Sequence, residues 1–147
     1  MIERIVIPIQ LCRENAQLPT YANPTDAGAD IYAAVDFTLE PGHTAVIPTG
    51  VKVAIPEGYE IQIRPRSGLS LKTGLRVANS PGTIDTGYRD EIGVIMQNVG
   101  NMPVEIYTGQ RIAQMVLQRV PQIEWDLVND VSVIGTDRGG GFGSTGK

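Results

Sequence analysis

Five stretches of the chain gather residue types that recognise anions and flat rings. PTDAGADIYA sets Asp26 and Asp30 among small residues, where backbone can come close to a ligand. PRSGLSLKTG joins Arg66 to a hydroxyl, Ser67, at the start of a helix-like run. NSPGTIDTGYRDEI holds Asp85 and Tyr88 three apart in a Gly- and Pro-rich hairpin signal. GQRIAQ puts Arg111 and Gln114 at the head of a strand, and the terminal RGGGFGSTGK carries Arg138 and Phe142 among glycines. Arginine offers paired donors that fit phosphate, and phenylalanine stacks on a planar ring. Each stretch alone also has a plain structural reading. Asp caps its own turn, Tyr packs across a hairpin, Arg beside Gly lies on a solvated edge, and a glycine-rich end is only a tail.

The last seven residues, GFGSTGK, follow the spacing G-x-x-x-x-G-K of a phosphate-binding loop. Such a loop needs a Ser or Thr after the Lys and a helix whose N-terminus faces the phosphates. Lys147 is the final residue of the sequence, so neither follows it. The stretch reads instead as a tail whose Arg138 and Phe142 can close over a nucleotide.

The elements that must position these residues are strands. Helical periodicity is almost absent, and ten prolines and seventeen glycines punctuate short β-rich runs, the pattern of an all-β sandwich or barrel. IERIVIPIQL (2–11) reads as a strand interrupted at Pro8. DIYAAVDFTLE, TAVIPTGVKVAIPEGYEIQIRPR, EIGVIMQNVG and RIAQMVLQRV supply the others. In one of them Tyr59, Ile61 and Ile63 alternate with Glu60, Gln62 and Arg64, which marks a half-buried strand. SGLSLKTG predicts one short helix with Ser67 as N-cap and Gly74 just past the end, its first amides offered to an anion beside Arg66. IEWDLVNDVSVIGTD, rich in Val and Ile, reads as an extended arm.

Composition narrows the class. The chain has 147 residues, 41% hydrophobic and 19% charged, which suits one soluble globular domain. Its net charge of −4 argues against a general nucleic-acid surface, and no apolar run approaches a membrane span. One His and one Cys argue against a structural zinc site. The lone Cys12, with no secretory signal at the start, points to a reducing compartment: the cytoplasm, or also the nucleus in a eukaryote. Nine of the twelve basic residues are Arg, so local anion sites on an acidic protein are expected.

Taken in order, the five stretches resemble the motifs of the trimeric deoxyuridine triphosphate nucleotidohydrolases (dUTPases), and they run from residue 24 to 146. The resemblance implies an all-β fold, a distorted jelly-roll barrel of short antiparallel strands with one short helix. It implies a catalytic body over 1–135 and a mobile Gly-rich tail over 136–147 that closes over the site. It implies hydrolysis of dUTP to dUMP and pyrophosphate with Mg2+, in a homotrimer whose sites are shared between subunits. Asp85 would activate the water that attacks the α-phosphorus. Asp30 would hold hydrated magnesium through water. Arg66, Ser67, Gly68 and Gln114 would contact phosphates. Asn79 and the hairpin from Gly82 through Thr83 and Ile84 to Tyr88 would form the uracil pocket, with Tyr88 under the deoxyribose. Arg138 would reach the phosphates and Phe142 would cover the uracil, followed by Gly143 and Ser144. Here Arg138 and Phe142 enclose three residues, where the family has four.

Two other readings stay open at this level. A dCTP deaminase would need a catalytic glutamate near Ile95, where GVIMQN has none, although Glu91 is close by. A non-catalytic regulatory jelly roll would need only the apolar alternation and not the polar set.

Overall fold

A computed structural model of the chain describes residues 1–146. Lys147, the lysine of the loop comparison and the end of the expected tail, lies outside the described residues. The strands are β1 (Ile9–Leu11), β2 (Ala29–Tyr32), β3 (Phe37–Leu39), β4 (Thr44–Pro48), β5 (Val51–Val53), β6 (Tyr59–Arg64), β7 (Leu75–Val77), β8 (Gly82–Ile84), β9 (Gly93–Asn98), β10 (Val104–Ile106) and β11 (Arg111–Arg119). One helix, α1 (Ser67–Lys72), and one 3-10 turn at Val131–Val133 complete the set. All ladders are antiparallel, in four sheets: β2-β11-β6-β8, β4-β9-β7, β1-β5 and β10-β3. The arrangement is jelly-roll-like, and among the described residues the ladders do not close into a barrel.

The alternation in β6 does what period 2 demands. Ile61 and Ile63 are buried and stand beside Leu117 and Met115 of β11. The opposite face carries Glu60, Gln62 and Arg64 beside Gln118, Val116 and Gln114. One core of Ile, Leu, Val and Met side chains from both larger sheets fills the interior, with Ile31, Ile47, Ile92, Val94 and Ile112 fully buried. At roughly 2 kcal/mol for each large aliphatic side chain removed from water, this burial is the main force holding the sheets together.

Three expectations change. The N-terminal strand is only Ile9–Leu11; residues 2–8 join no ladder, yet Ile5, Ile7 and Ile9 line an apolar cavity with Val53, Met115 and Leu117. Their alternation therefore marks a face and not a strand. Ser67 is the first helical residue and not the cap; Arg66 occupies the cap position and makes no side-chain cap bond. The C-terminal end is closed by Thr73, whose amide and hydroxyl both donate to the Leu69 carbonyl. Gly74 is needed for close approach and not for a left-handed cap: a Cβ there would lie 2.4 Å from Asn98 Oδ1 and 2.6 Å from the Gly100 amide nitrogen. Finally, residues 82–88 are not a hairpin. β8 pairs with β6, and β9 pairs with β4 and β7, so the segment crosses from one sheet to the other.

Candidate active site

β2 and β11 lie side by side with Asp30 opposite Gln114, and Gln114 opposite Arg64 of β6, in one row across the sheet. Gln114 Nε2 donates to Asp30 Oδ1 at 3.3 Å. Arg66, two residues past the end of β6, brings its Nε to 3.3 Å from the same oxygen. Arg111 Nη1 is 3.5 Å from Asp30 Oδ2. Two distant segments, β11 and the turn after β6, thus converge on one carboxylate of β2 whose side chain is 5% exposed. A carboxylate so buried is stable only when paired and hydrogen-bonded, and here two guanidinium groups and an amide do this.

A bulge makes the convergence possible. The register of β11 against β2 slips between Arg111 and Ala113, with Arg111 opposite Tyr32 and Ala113 opposite Ile31. Strict alternation would place Arg111 on the core face with Ala113 and Met115. The extra residue, Ile112, takes the core position and is fully buried, and Arg111 is turned to the face of Asp30 and Gln114. Arg66 also donates Nη1 to the Arg111 carbonyl at 3.5 Å, which ties the two arginines together. Sequence reasoning singled out Arg111 but gave it no role, because a bulge leaves no periodic signal. It also read the small residues before Asp30 as room for a ligand. Gly28 instead makes room for Gln114: a Cβ there would lie 2.8 Å from Gln114 Oε1.

Ser67 and Gly68 follow Arg66 and are exposed. A Cβ on Gly68 would meet nothing within 4 Å, so this position is open on its outer side. Two guanidiniums beside an open, amide-rich turn favour an anion with several oxygens. Gln62 Oε1 accepts from both Nε and Nη2 of Arg64, so this third arginine of the region is held on its own strand.

The second group of expected residues lies elsewhere in the same chain. Asn79 lies in the turn before β8, with its amide nitrogen 3.4 Å from where a Cβ on Gly82 would stand. Gly82, Thr83 and Ile84 form the edge strand β8. Asp85 follows it, exposed, and the Tyr88 amide donates to its carbonyl at 3.1 Å. The register puts Ile84 beside Ile61, and Asp85 just beyond it, four rows from Arg64 and three strands across from Asp30. At about 3.3 Å per residue and 4.8 Å per strand, Asp85 and Asp30 are roughly 20 Å apart. One chain therefore does not bring them together. The tail residues Arg138, Phe142, Gly143 and Ser144 are exposed, and Phe142 is completely so.

Glu91, the carboxylate close in sequence to a deaminase position, is engaged. It accepts Arg13 Nε at 2.6 Å, Arg13 Nη2 at 3.0 Å and the Gly50 amide at 2.8 Å. The Arg13 guanidinium holds the Glu91 carboxyl below the usual carboxylate range; partial burial opposes this, and the Gly50 amide adds to it.

A family model described as dUTPase matches residues 14–146. The chain belongs to the dUTPase family. Among curated dUTPases, it is 55% identical over 133 residues to a deoxyuridine 5'-triphosphate nucleotidohydrolase of Roseobacter denitrificans, covering 88% of this chain and 86% of the relative. It is 47% identical to those of Clostridium tetani, covering 96% and 97%, and of Solibacter usitatus, covering the full length of both. Its fold is that of a dUTPase variant of Staphylococcus bacteriophage 80alpha solved with dUpNHpp, at a TM-score of 0.87 and 31% identity, with 97% of this chain and 99% of that one covered. A dUTPase of phage phi11 of S. aureus, described for the coordination of a structural Mg(II) ion, matches at a TM-score of 0.82 and 30% identity, covering 87% and 99%.

Proposed function

We propose that this protein hydrolyses dUTP to dUMP and pyrophosphate, which keeps uracil out of DNA and supplies dUMP for dTMP synthesis. The observation that carries the reading is the convergence of Arg66, Arg111 and Gln114 on buried Asp30, in a chain of this family. The arginines and the open Ser67–Gly68 turn bind the triphosphate, with Gln114 as a further phosphate contact. Asp85 takes a proton from water as its oxygen attacks the α-phosphorus. The bond to the α–β bridging oxygen breaks, and pyrophosphate leaves. Tyr88 under the sugar rejects a ribose hydroxyl by clash, and the backbone from Gly82 to Tyr88, with Asn79, reads the uracil edge. Arg138 and Phe142, with Gly143 and Ser144, arrive last with the tail and exclude water.

Asp30 also fits a hydrated cation. Its Oδ1 accepts from Gln114 and is ion-paired with Arg66, whereas Oδ2 accepts from Arg111 and retains one lone pair for a metal-bound water. Among the described residues no group of three or more His, Cys, Asp or Glu could hold a metal, which suits magnesium carried by the substrate's phosphates and its own waters. When bound, it would supply countercharge to the phosphate oxygens.

The separation of about 20 Å between Asp85 and Asp30 supports a homotrimer with shared sites. A single chain offers the phosphate half and the water-activating half at opposite ends of one sheet. The exposed arm, with Ile123, Trp125, Leu127, Val131 and Val133 uncovered, is in keeping with such an assembly.

The test is pyrophosphate release from dUTP, dCTP, dTTP and UTP, each with magnesium and with EDTA. Release from dUTP alone, lost with EDTA, is expected. Equal release from all four would replace this reading with a broad pyrophosphatase.

A further inference from the structure

We propose that the Arg13–Glu91 ion pair is a positioning device for Tyr88, and through Tyr88 a determinant of deoxyribose over ribose. The proposal rests on the dUTP reading given above.

Tyr88 stands outside the buried core and is 38% exposed. One side of it borders an open cavity lined also by Val46, Pro48 and Ile95, with Arg13 and Glu91 at its wall. Its hydroxyl donates to the Glu91 carbonyl at 2.7 Å. A ring that is not held by core packing takes its orientation largely from such a bond. Its backbone is tied to Asp85 by the turn that the Tyr88 amide closes, so a shift of the ring reaches the residue expected to handle the water.

Glu91 is a firm anchor for that hydroxyl. Its carboxylate is gripped by both Arg13 nitrogens and by the Gly50 amide, and the next amide, of Ile92, donates to the Val51 carbonyl at 2.8 Å. Arg13 is itself seated. Cys12 donates its amide to the Gly50 carbonyl at 2.7 Å, and Gly50 has φ +71°. A Cβ on Gly50 would lie 2.4 Å from Ala16 Cβ and 3.1 Å from Arg13 Cβ, so this N-terminal turn lies directly on the Gly50 turn. Arg89 and Thr86 brace the other side of the Asp85–Tyr88 turn: Arg89 Nη1 donates to the Thr86 and Tyr88 carbonyls, and the Thr86 hydroxyl donates to Ile55. The ring hydroxyl, however, is held from the Arg13 side.

Rejection by clash works only while the wall stays in place. A ring freed from Glu91 can swing toward the open cavity and admit a 2′-hydroxyl. Removing the Arg13 fork therefore costs selectivity more than it costs chemistry.

The experiment measures kcat and KM for dUTP and UTP, together with thermal unfolding, on the full-length oligomer of wild type, Arg13→Met, Arg13→Lys, Tyr88→Phe and the Arg13→Met/Tyr88→Phe double variant. Arg13→Met is expected to lower the dUTP-to-UTP ratio of kcat/KM by about tenfold, mostly through KM. Arg13→Lys, which keeps the charge without the fork, recovers part of the ratio. Tyr88→Phe lowers the ratio similarly, and the double variant is no worse than Tyr88→Phe, because both act through one bond. A lowered melting temperature with an unchanged ratio in Arg13→Met would overturn the proposal, as would additive losses in the double variant. Should the Arg13 variants not fold, an unchanged ratio in Tyr88→Phe alone overturns it. No dUTP hydrolysis by the wild type would sink the dUTP reading first, and this proposal with it.

Discussion

Arg66 Nε lies 3.3 Å from Asp30 Oδ1, although Asp30 is on β2, Arg66 occupies the N-cap position of α1, and only Asp30 is deeply buried. The pair joins the first two motifs of the sequence into one object. Asp30 is the countercharge that allows Arg66 and Arg111 to stand close together, and two guanidiniums face one carboxylate, an excess of positive charge that in the proposed reading receives the triphosphate. Asp30→Asn leaves both arginines without that partner. We expect a loss of about 1–3 kcal/mol in urea unfolding and a fall in kcat/KM for dUTP of about a hundredfold. Wild-type activity in this variant would remove Asp30 from the site.

Gly28→Ala separates site geometry from fold. The new methyl would meet Gln114 Oε1 at 2.8 Å and Cδ at 3.0 Å, the movable end of that side chain, and Gln114 Cβ at 3.1 Å, which asks for a backbone shift of a few tenths of an ångström. The Gln114 carboxamide can yield and the backbone shift is small, so the loss in urea unfolding should be no more than about 1–2 kcal/mol. Its bond to Asp30 is lost in yielding, and KM for dUTP should rise about tenfold. A large loss of stability with unchanged KM would show that Gly28 serves the backbone and not Gln114.

Asp85→Asn tests the chemical step. Asp85 is exposed and its side chain is not needed by the β8–β6 ladder. Stability should stay within about 0.5 kcal/mol. Turnover of dUTP should fall by about 10²–10⁴-fold, while a non-hydrolysable dUTP analogue still binds in calorimetry. Turnover near the wild-type rate would take the water-activating role from Asp85.

Much of this was legible in the sequence because its signals are local. The alternation of Tyr59 to Arg64 gave the half-buried β6, and Arg66, Asp30 and Gln114 were readable as motif residues. What stayed hidden depends on pairing. Leu75–Val77 and Val104–Ile106 are three-residue strands, too short to show a period. The Gly- and Pro-rich run at 81–88 signals a reversal of the chain, but no residue in it says that β8 and β9 belong to different sheets. Arg111 needed a register slip to reach Asp30, and Glu91 needed Arg13, far away in the chain, to be seen as occupied. These are facts of tertiary register, which a single sequence does not carry.

Deletion of residues 138–147 tests the tail. The described part of this segment is exposed, and its hydrogen bonds, such as the Gly139 amide to the Asp137 carboxylate and the Ser144 amide to the Gly141 carbonyl, are local. The body should therefore fold and assemble as before, read by circular dichroism and sedimentation. If Arg138 and Phe142 close the site, kcat/KM for dUTP should fall by about 10²-fold or more. Full activity in the truncated protein would mean that the glycine-rich end is only a tail, and that the three-residue spacing between Arg138 and Phe142 is of no consequence.

The Arg13–Glu91 pair also sets a pH dependence. The bond to Arg13 depresses the Glu91 pKa in the folded protein relative to the unfolded chain. The unfolded chain then binds the proton more readily, so stability rises with pH across this interval. The contribution is fully present above the unfolded carboxyl value, about 4.3, and is lost as pH falls through the lower folded value. Glu91→Gln removes it. Its deficit in urea midpoint against the wild type should be constant from neutral pH down to about 5 and should shrink below about 4 as the wild-type carboxyl takes up its proton. A deficit that stays the same down to the most acid conditions would mean that Glu91 stabilises the fold through shape and neutral hydrogen bonding, and not through its charge on Arg13.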